Sequence, residues 1–109
     1  MPDFQTVCRV TEIPQGEARR FVLGDRAIGV FHVGRDFLAI ANECPHAGAS
    51  LADGYIEGDV VACRIHHWHF SLRRGTYLDA EEPEYDVQTF PVRVVGDEVQ
   101  VALTPPVDR

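Results

Sequence analysis

Cys44, His46, Cys63 and His66 are the residues of this chain best suited to chemistry. They fall into two short pairs, Cys44-Pro45-His46 and Cys63-Arg64-Ile65-His66, with sixteen residues between them. Thiolate and imidazole are ligands of choice for zinc, copper and iron–sulfur centres. Two such pairs on two loops can close around one centre. The residues between them include Leu51-Ala52-Asp53-Gly54 and Glu57-Gly58, enough turns to bring the loops together. Gly48, just after the first pair, allows one loop to pack tightly on the other. Three cysteines in 109 residues are too few, and odd in number, for a disulfide framework. Cys8 stands far from the other two and reads as a buried strand residue.

The elements that must position these residues read as strands. Phe4 to Val10 alternates, with Phe4, Thr6, Cys8 and Val10 on one side. Ile13 to Gly16 is a turn, Ala18 to Leu23 a strand closed by Gly24-Asp25, and Ala27 to Val33 another. Gly34-Arg35-Asp36 turns the chain into Phe37–Ala41. Turns every eight to ten residues fit an antiparallel meander. From Glu43 to Gly58 the pattern breaks. Asp59 to Cys63 is a short strand; Phe70–Leu72 and Thr76–Leu78 flank Arg73-Arg74-Gly75 as a hairpin. Val87–Val95 and Val99–Leu103, joined by Gly96-Asp97-Glu98, form the last hairpin, and Thr104 to Arg109 a frayed tail. No segment has a helical period, and there is no repeat. The chain reads as one all-β domain over 1–109, with an irregular insertion over about 42–82 that holds four of the five histidines.

A structural zinc site with two Cys and two His meets a spacing objection: each pair mixes Cys with His, and one residue separates Cys44 from His46. A 2Fe–2S cluster in which two His replace two Cys on one iron fits the pairs better. Cys44-Pro45-His46-Ala47-Gly48 and Cys63-Arg64-Ile65-His66-His67-Trp68-His69-Phe70 resemble the two cluster-binding boxes of the Rieske family. Ser71-Leu72-Arg73-Arg74-Gly75 is similar to the family's continuation into the next hairpin. The resemblance covers nearly the whole chain. It implies a Rieske-type antiparallel β-sandwich base carrying an inserted cluster-binding subdomain. It further implies that Cys44 and Cys63 hold the inner iron, and His46 and His66 the outer one. Two departures stand out. Arg64 and His67 occupy positions where the family usually has Pro and Gly. A charge at Arg64 favours the reduced form. His67 and His69 read as surface residues of a docking face, His32 as a packed strand residue, and Trp68 as a hydrophobic lid.

The resemblance implies a one-electron carrier, the ferredoxin component between a flavin reductase and a terminal oxygenase. The alternative within the same family is the small subunit of an assimilatory NAD(P)H nitrite reductase, partnered by its large subunit. High-potential respiratory members carry an extra cysteine in each box. Ala49 and Ile65 stand there, so no bridge forms. Those members also place hydroxyls where Trp68 and Phe70 stand, which puts the expected potential at the low end, about −150 mV. The chain has no Gly-rich dinucleotide fingerprint, no P-loop and no separate iron triad, so it is not expected to catalyse alone. Seventeen acidic against ten basic residues, net charge −7, exclude nucleic acid and anionic membranes as main partners. No membrane-spanning run or signal peptide is evident, and the expected location is the cytoplasm.

Overall fold

The computed structural model describes residues 4–45 and 48–103. Strands β1 (Phe4–Arg9), β2 (Ala18–Leu23), β3 (Arg26–Val33), β4 (Asp36–Ala41) and β5 (Tyr55–Glu57) are followed by β6 (Val60–Ala62), β7 (His69–Ser71), β8 (Thr89–Phe90), β9 (Val92–Val95) and β10 (Glu98–Ala102). They make three antiparallel sheets of order β1-β10-β9, β2-β3-β4-β8 and β5-β6-β7. Among the described residues the only helical pieces are three-residue 3₁₀ turns, and no helix is long and apolar enough to cross a membrane.

The meander expectation holds only in part. β2-β3-β4 and β5-β6-β7 pair in sequence order; six residues separate β6 from β7, while two-residue loops join β2 to β3, β3 to β4 and β5 to β6. Each loop is the kind that asks for positive φ at its first position, as at Gly24 (φ 63°) and Gly58 (φ 61°). β1, however, pairs with β10 at the far end of the chain. The segment Val87–Val95, read as one strand, is two strands in two sheets: β8 pairs with β4 and β9 with β10. Pro91 lies between them. It has no N–H to continue a ladder, and its carbonyl instead accepts a bond from Ala102 N–H at 3.0 Å. In β1 a register shift between Thr6 and Cys8 breaks the alternation, leaving Thr6 exposed, where its hydroxyl donates to Glu98 at 2.9 Å. Val10 leaves the strand for a 3₁₀ turn. Of the expected Thr76–Leu78 arm only Tyr77 pairs, in a single bridge with Phe70.

β3 and β4 form the wall between two cores. Alternation sends Ile28, Val30 and Ala39 to one face, where they pack with Cys8, Ile13, Phe90, Val99 and Val101. It sends Phe31 and Ile40 to the other, where they meet Cys44, Leu51, Val61, Cys63, Phe70 and Tyr77. This central sheet is thus covered on both faces, which explains the near-continuous apolar run of β3. The chain leaves the wall after Ala41 and rejoins it at Thr89. The third sheet is built in between.

Candidate metal centre

Two loops begin at the second core, each at a cysteine buried in it. The first opens at Cys44, whose N–H donates to the Ala49 carbonyl at 2.9 Å. The second opens at Cys63, whose N–H donates to the Trp68 carbonyl at 2.8 Å. Each cysteine begins its loop and each loop is closed by a bond from residue i to residue i+5. The first loop's stem is fastened by the Glu43–Ser50 bridge, the second by the β6–β7 ladder.

Both thiols are buried, reduced and in contact. Burial pushes the Cys63 thiol up, and the neighbouring Cys44 adds to this, while the Ile65 N–H bonded to its sulfur works the other way. A neutral thiol is therefore favoured at the closed site, and a soft cation that replaces the proton removes that burden. His66 lies at the exposed crest of the second loop. His46 lies outside the described residues.

The crest is conformationally unusual. His66 and His67 have φ of 65° and 56°, the only non-glycine residues with positive φ among those described. Each such residue costs roughly 1–2 kcal/mol, and strain of this kind gathers at ligand clamps. It explains why the position of His67 favours glycine. The other histidines are engaged elsewhere. His67 packs edge-on against Tyr55 at 5.6 Å. His69 donates to Asp79 at 3.0 Å, and His32 donates to the Ile13 carbonyl at 2.7 Å while stacking on Phe37. Trp68 is half-buried against the core that holds the cysteines, in contact with Tyr77 and Tyr85.

Asn42 is a positioning residue that the spacing of the Cys-His pairs does not reveal. It is 2% exposed. Its N–H donates to the Ala27 carbonyl on β3, its carbonyl accepts from Leu51 N–H, its side-chain oxygen accepts from Ala52 N–H, and its amide donates to the Ser50 hydroxyl at 2.9 Å. One residue thus ties the central wall to the far stem of the first loop. Gly29 makes the room: a Cβ there would come within 3.0 Å of the Asn42 side-chain oxygen. The only sequence signal was a polar residue directly after an apolar strand. Asn42→Ala is expected to lower stability by about 1–3 kcal/mol, because buried partners lose their bonds; urea denaturation measures it.

Among the described residues no three His, Cys, Asp or Glu side chains converge on one point as a single-ion site. A two-iron centre does not require that, since its ligands are divided between two metals. Paired buried thiols, an N–H directed at sulfur and an imidazole-bearing crest suit such a group.

The family model described as Rieske [2Fe-2S] domain matches residues 3–91. The 3-phenylpropionate/cinnamic acid dioxygenase ferredoxin subunit of Escherichia coli (strain K12) is 37% identical over 99 residues, 88% of this chain and 90% of that one. A solved complex of reduced oxygenase and oxidized ferredoxin in carbazole 1,9a-dioxygenase contains a chain that superposes with a TM-score of 0.84 at 29% identity, covering 96% and 97% of the two chains. A putative NADH-dependent nitrite reductase small subunit from Mycobacterium tuberculosis superposes with a TM-score of 0.87, covering 97% and 99%; at 24% identity it speaks to the fold alone.

Proposed function

Because the chain belongs to the Rieske [2Fe-2S] family, we propose that Cys44 and Cys63 hold one iron of its cluster, His46 and His66 the other. On this reading the protein is a cytoplasmic one-electron carrier between a flavin reductase and a terminal oxygenase, a single domain over 1–109 whose cluster-binding insertion spans about 42–82. The carrying observation is the pair of contacting, buried thiols, each opening a segment closed by an i to i+5 backbone bond. The ferredoxin names of relatives above 30% identity support the carrier role. The nitrite reductase alternative has only a likeness of fold behind it.

Bound at this site, a 2Fe–2S group supplies reversible one-electron exchange. The chain's own residues do the rest. Phe31, Leu51, Val61 and Phe70 keep water from the thiols. The Ile65 N–H, donated to the Cys63 sulfur, stabilises negative charge there. The exposed crest at His66 brings the imidazole edge to where a partner can approach. Charge then orients the encounter. Nine of the 17 acidic residues lie between Glu43 and Asp86, against Arg64, Arg73 and Arg74. The site-bearing part is thus strongly negative while the base is nearly balanced, which speeds encounter with a basic surface and makes it salt-dependent.

Two measurements test the reading. Protein assembled with iron and sulfide should show a midpoint potential near the low end of the family's range, about −150 mV. It should also accept electrons from a dioxygenase flavin reductase. A potential well above zero overturns the low-potential assignment; a colourless protein holding zinc overturns the cluster.

A further inference from the structure

Trp68 is the chain's only tryptophan, and Tyr55, Tyr77 and Tyr85 are its only tyrosines. Two of those three tyrosines touch it. The Trp68 ring lies 4.6 Å from that of Tyr77 and 5.0 Å from that of Tyr85, and the two tyrosine rings are 5.7 Å apart. The triad has an inner and an outer end. Inside, the Trp68 carbonyl accepts the Cys63 N–H, and Tyr77 is buried in the same core as Cys44 and Cys63. Outside, Tyr85 is half-buried in the 3₁₀ turn Pro83–Tyr85, flanked in sequence by Glu82, Glu84 and Asp86. The Tyr77 backbone N–H donates to Asp86. Burial pushes the Tyr77 phenol up, with Asp79 and Glu82 close enough to add to this. The 79–86 segment carries the carboxylates of Asp79, Glu81, Glu82, Glu84 and Asp86. Volume alone could be filled by phenylalanine or leucine; here each of the three positions carries a ring that can lose an electron.

We propose that Trp68, Tyr77 and Tyr85 form a radical relay that carries one-electron oxidising equivalents away from Cys44 and Cys63 to the surface. The incoming oxidant is a radical of the reactive-oxygen class, such as carbonate radical. It takes one electron from the Trp68 indole and is reduced, and the indole N–H proton passes to water. Tyr77 or Tyr85 then gives an electron to the indolyl radical. That phenol O–H breaks, its proton moving to a carboxylate of the 79–86 segment, and the indole regains a proton from water. Where Tyr77 is oxidised first, Tyr85 gives an electron to the Tyr77 phenoxyl across 5.7 Å. Tyr77 takes its proton back and Tyr85 loses its own to a carboxylate of the same segment. The phenoxyl radical thus ends at Tyr85, where a soluble thiol or ascorbate restores it by donating a hydrogen atom and the carboxylate releases its proton to water. One oxidant and one soluble reductant are consumed, and the protein is returned unchanged. Without the relay, the same equivalents take one electron from a cysteine sulfur, leaving a thiyl radical that adds dissolved dioxygen and goes on to sulfinic and sulfonic acid.

Pulse radiolysis of the oxidised holoprotein tests this, with azide radical as the probe because it attacks indole preferentially. The indolyl absorption should decay as phenoxyl absorption grows, at one rate that does not depend on protein concentration. Tyr77→Phe combined with Tyr85→Phe should abolish the growth, while Tyr55→Phe leaves it intact. After equal radical dose, mass spectrometry should find severalfold more sulfinic and sulfonic acid at Cys44 and Cys63 in the double variant. The single variant Tyr85→Phe, at a half-exposed ring, keeps the test valid if the double variant does not fold: its phenoxyl, confined to Tyr77, should be reduced by ascorbate severalfold more slowly. Unchanged indolyl decay in the tyrosine variants, transfer that needs Tyr55, or equal cysteine oxidation overturns the relay.

Discussion

Cys63→Ser should yield a colourless protein without bound iron. The Cys63 sulfur is fully buried and in contact with that of Cys44, and the Ile65 N–H is directed at it. A serine oxygen is shorter, harder and far less acidic, so it neither reaches nor ionises as thiolate does. Cys44→Ser should do the same. Cys8→Ser is the control. Cys8 packs in the other core with Ile13, Val30 and Val99, so its change should leave the iron spectrum intact. Its cost is stability, about 1–3 kcal/mol for burying a hydroxyl. Iron and acid-labile sulfide assays decide the matter. Wild-type protein should carry two of each, as a 2Fe–2S centre requires. Full loading of Cys63→Ser would remove that residue from the ligand set.

The second large effect is expected at glycines where backbone meets backbone. At Gly75, φ is +74° and an added Cβ would lie 2.0 Å from the Val87 carbonyl oxygen. No side chain can swing aside, since the obstacle is main chain held by the 2.8 Å bond from Val87 N–H to the Gly75 carbonyl. Gly75→Ala should cost upward of about 4 kcal/mol, in the exceptional range for one substitution. Gly54 separates the two causes. Its φ of −81° suits any residue, yet a Cβ would lie 2.3 Å from the Ala62 carbonyl oxygen, one residue before Cys63. Gly54→Ala should therefore force β5 off β6 and loosen the second loop, costing both stability and retained iron. Gly16→Ala supplies strain without a clash: φ is +85° and nothing lies within 4 Å. It should cost only about 1–2 kcal/mol. Urea denaturation ranks the three; a Gly75→Ala loss no greater than that of Gly16→Ala would refute the clash argument.

The two cysteines that the fold brings together and most strands were legible because their signals are local. Gly24-Asp25, Gly34-Arg35 and Gly96-Asp97 mark hairpin turns, and each lies between paired strands. Pairings between distant segments were not legible. Nothing in Phe4–Arg9 announces β10 as its partner, and the bulge after Thr6 hides the true alternation. Pro91 was a visible warning, since a proline inside an apolar run argues against one continuous strand. Asn42 stayed hidden because its worth lies in bonds to Ala27, Ser50 and Ala52, which only the fold brings together. The left-handed crest was signalled only at His67, by the glycine the family usually has there; nothing marked His66, whose φ is also positive.

The wall formed by β3 and β4 sets a hierarchy of opening. Both cores lean on it, so neither can melt fully without exposing one of its faces. The two loops, in contrast, hang on the short Glu43–Ser50 bridge and the three-pair β6–β7 ladder, each closed by one i to i+5 bond. Amide hydrogen exchange should accordingly be slowest at Ile28, Val30 and Ile40, through global unfolding only, and faster at Cys44 and Cys63 through local opening. A carrier built this way can exchange or rebuild its metal centre repeatedly while the rest of the molecule stays folded, so that damage and repair are confined to two short loops.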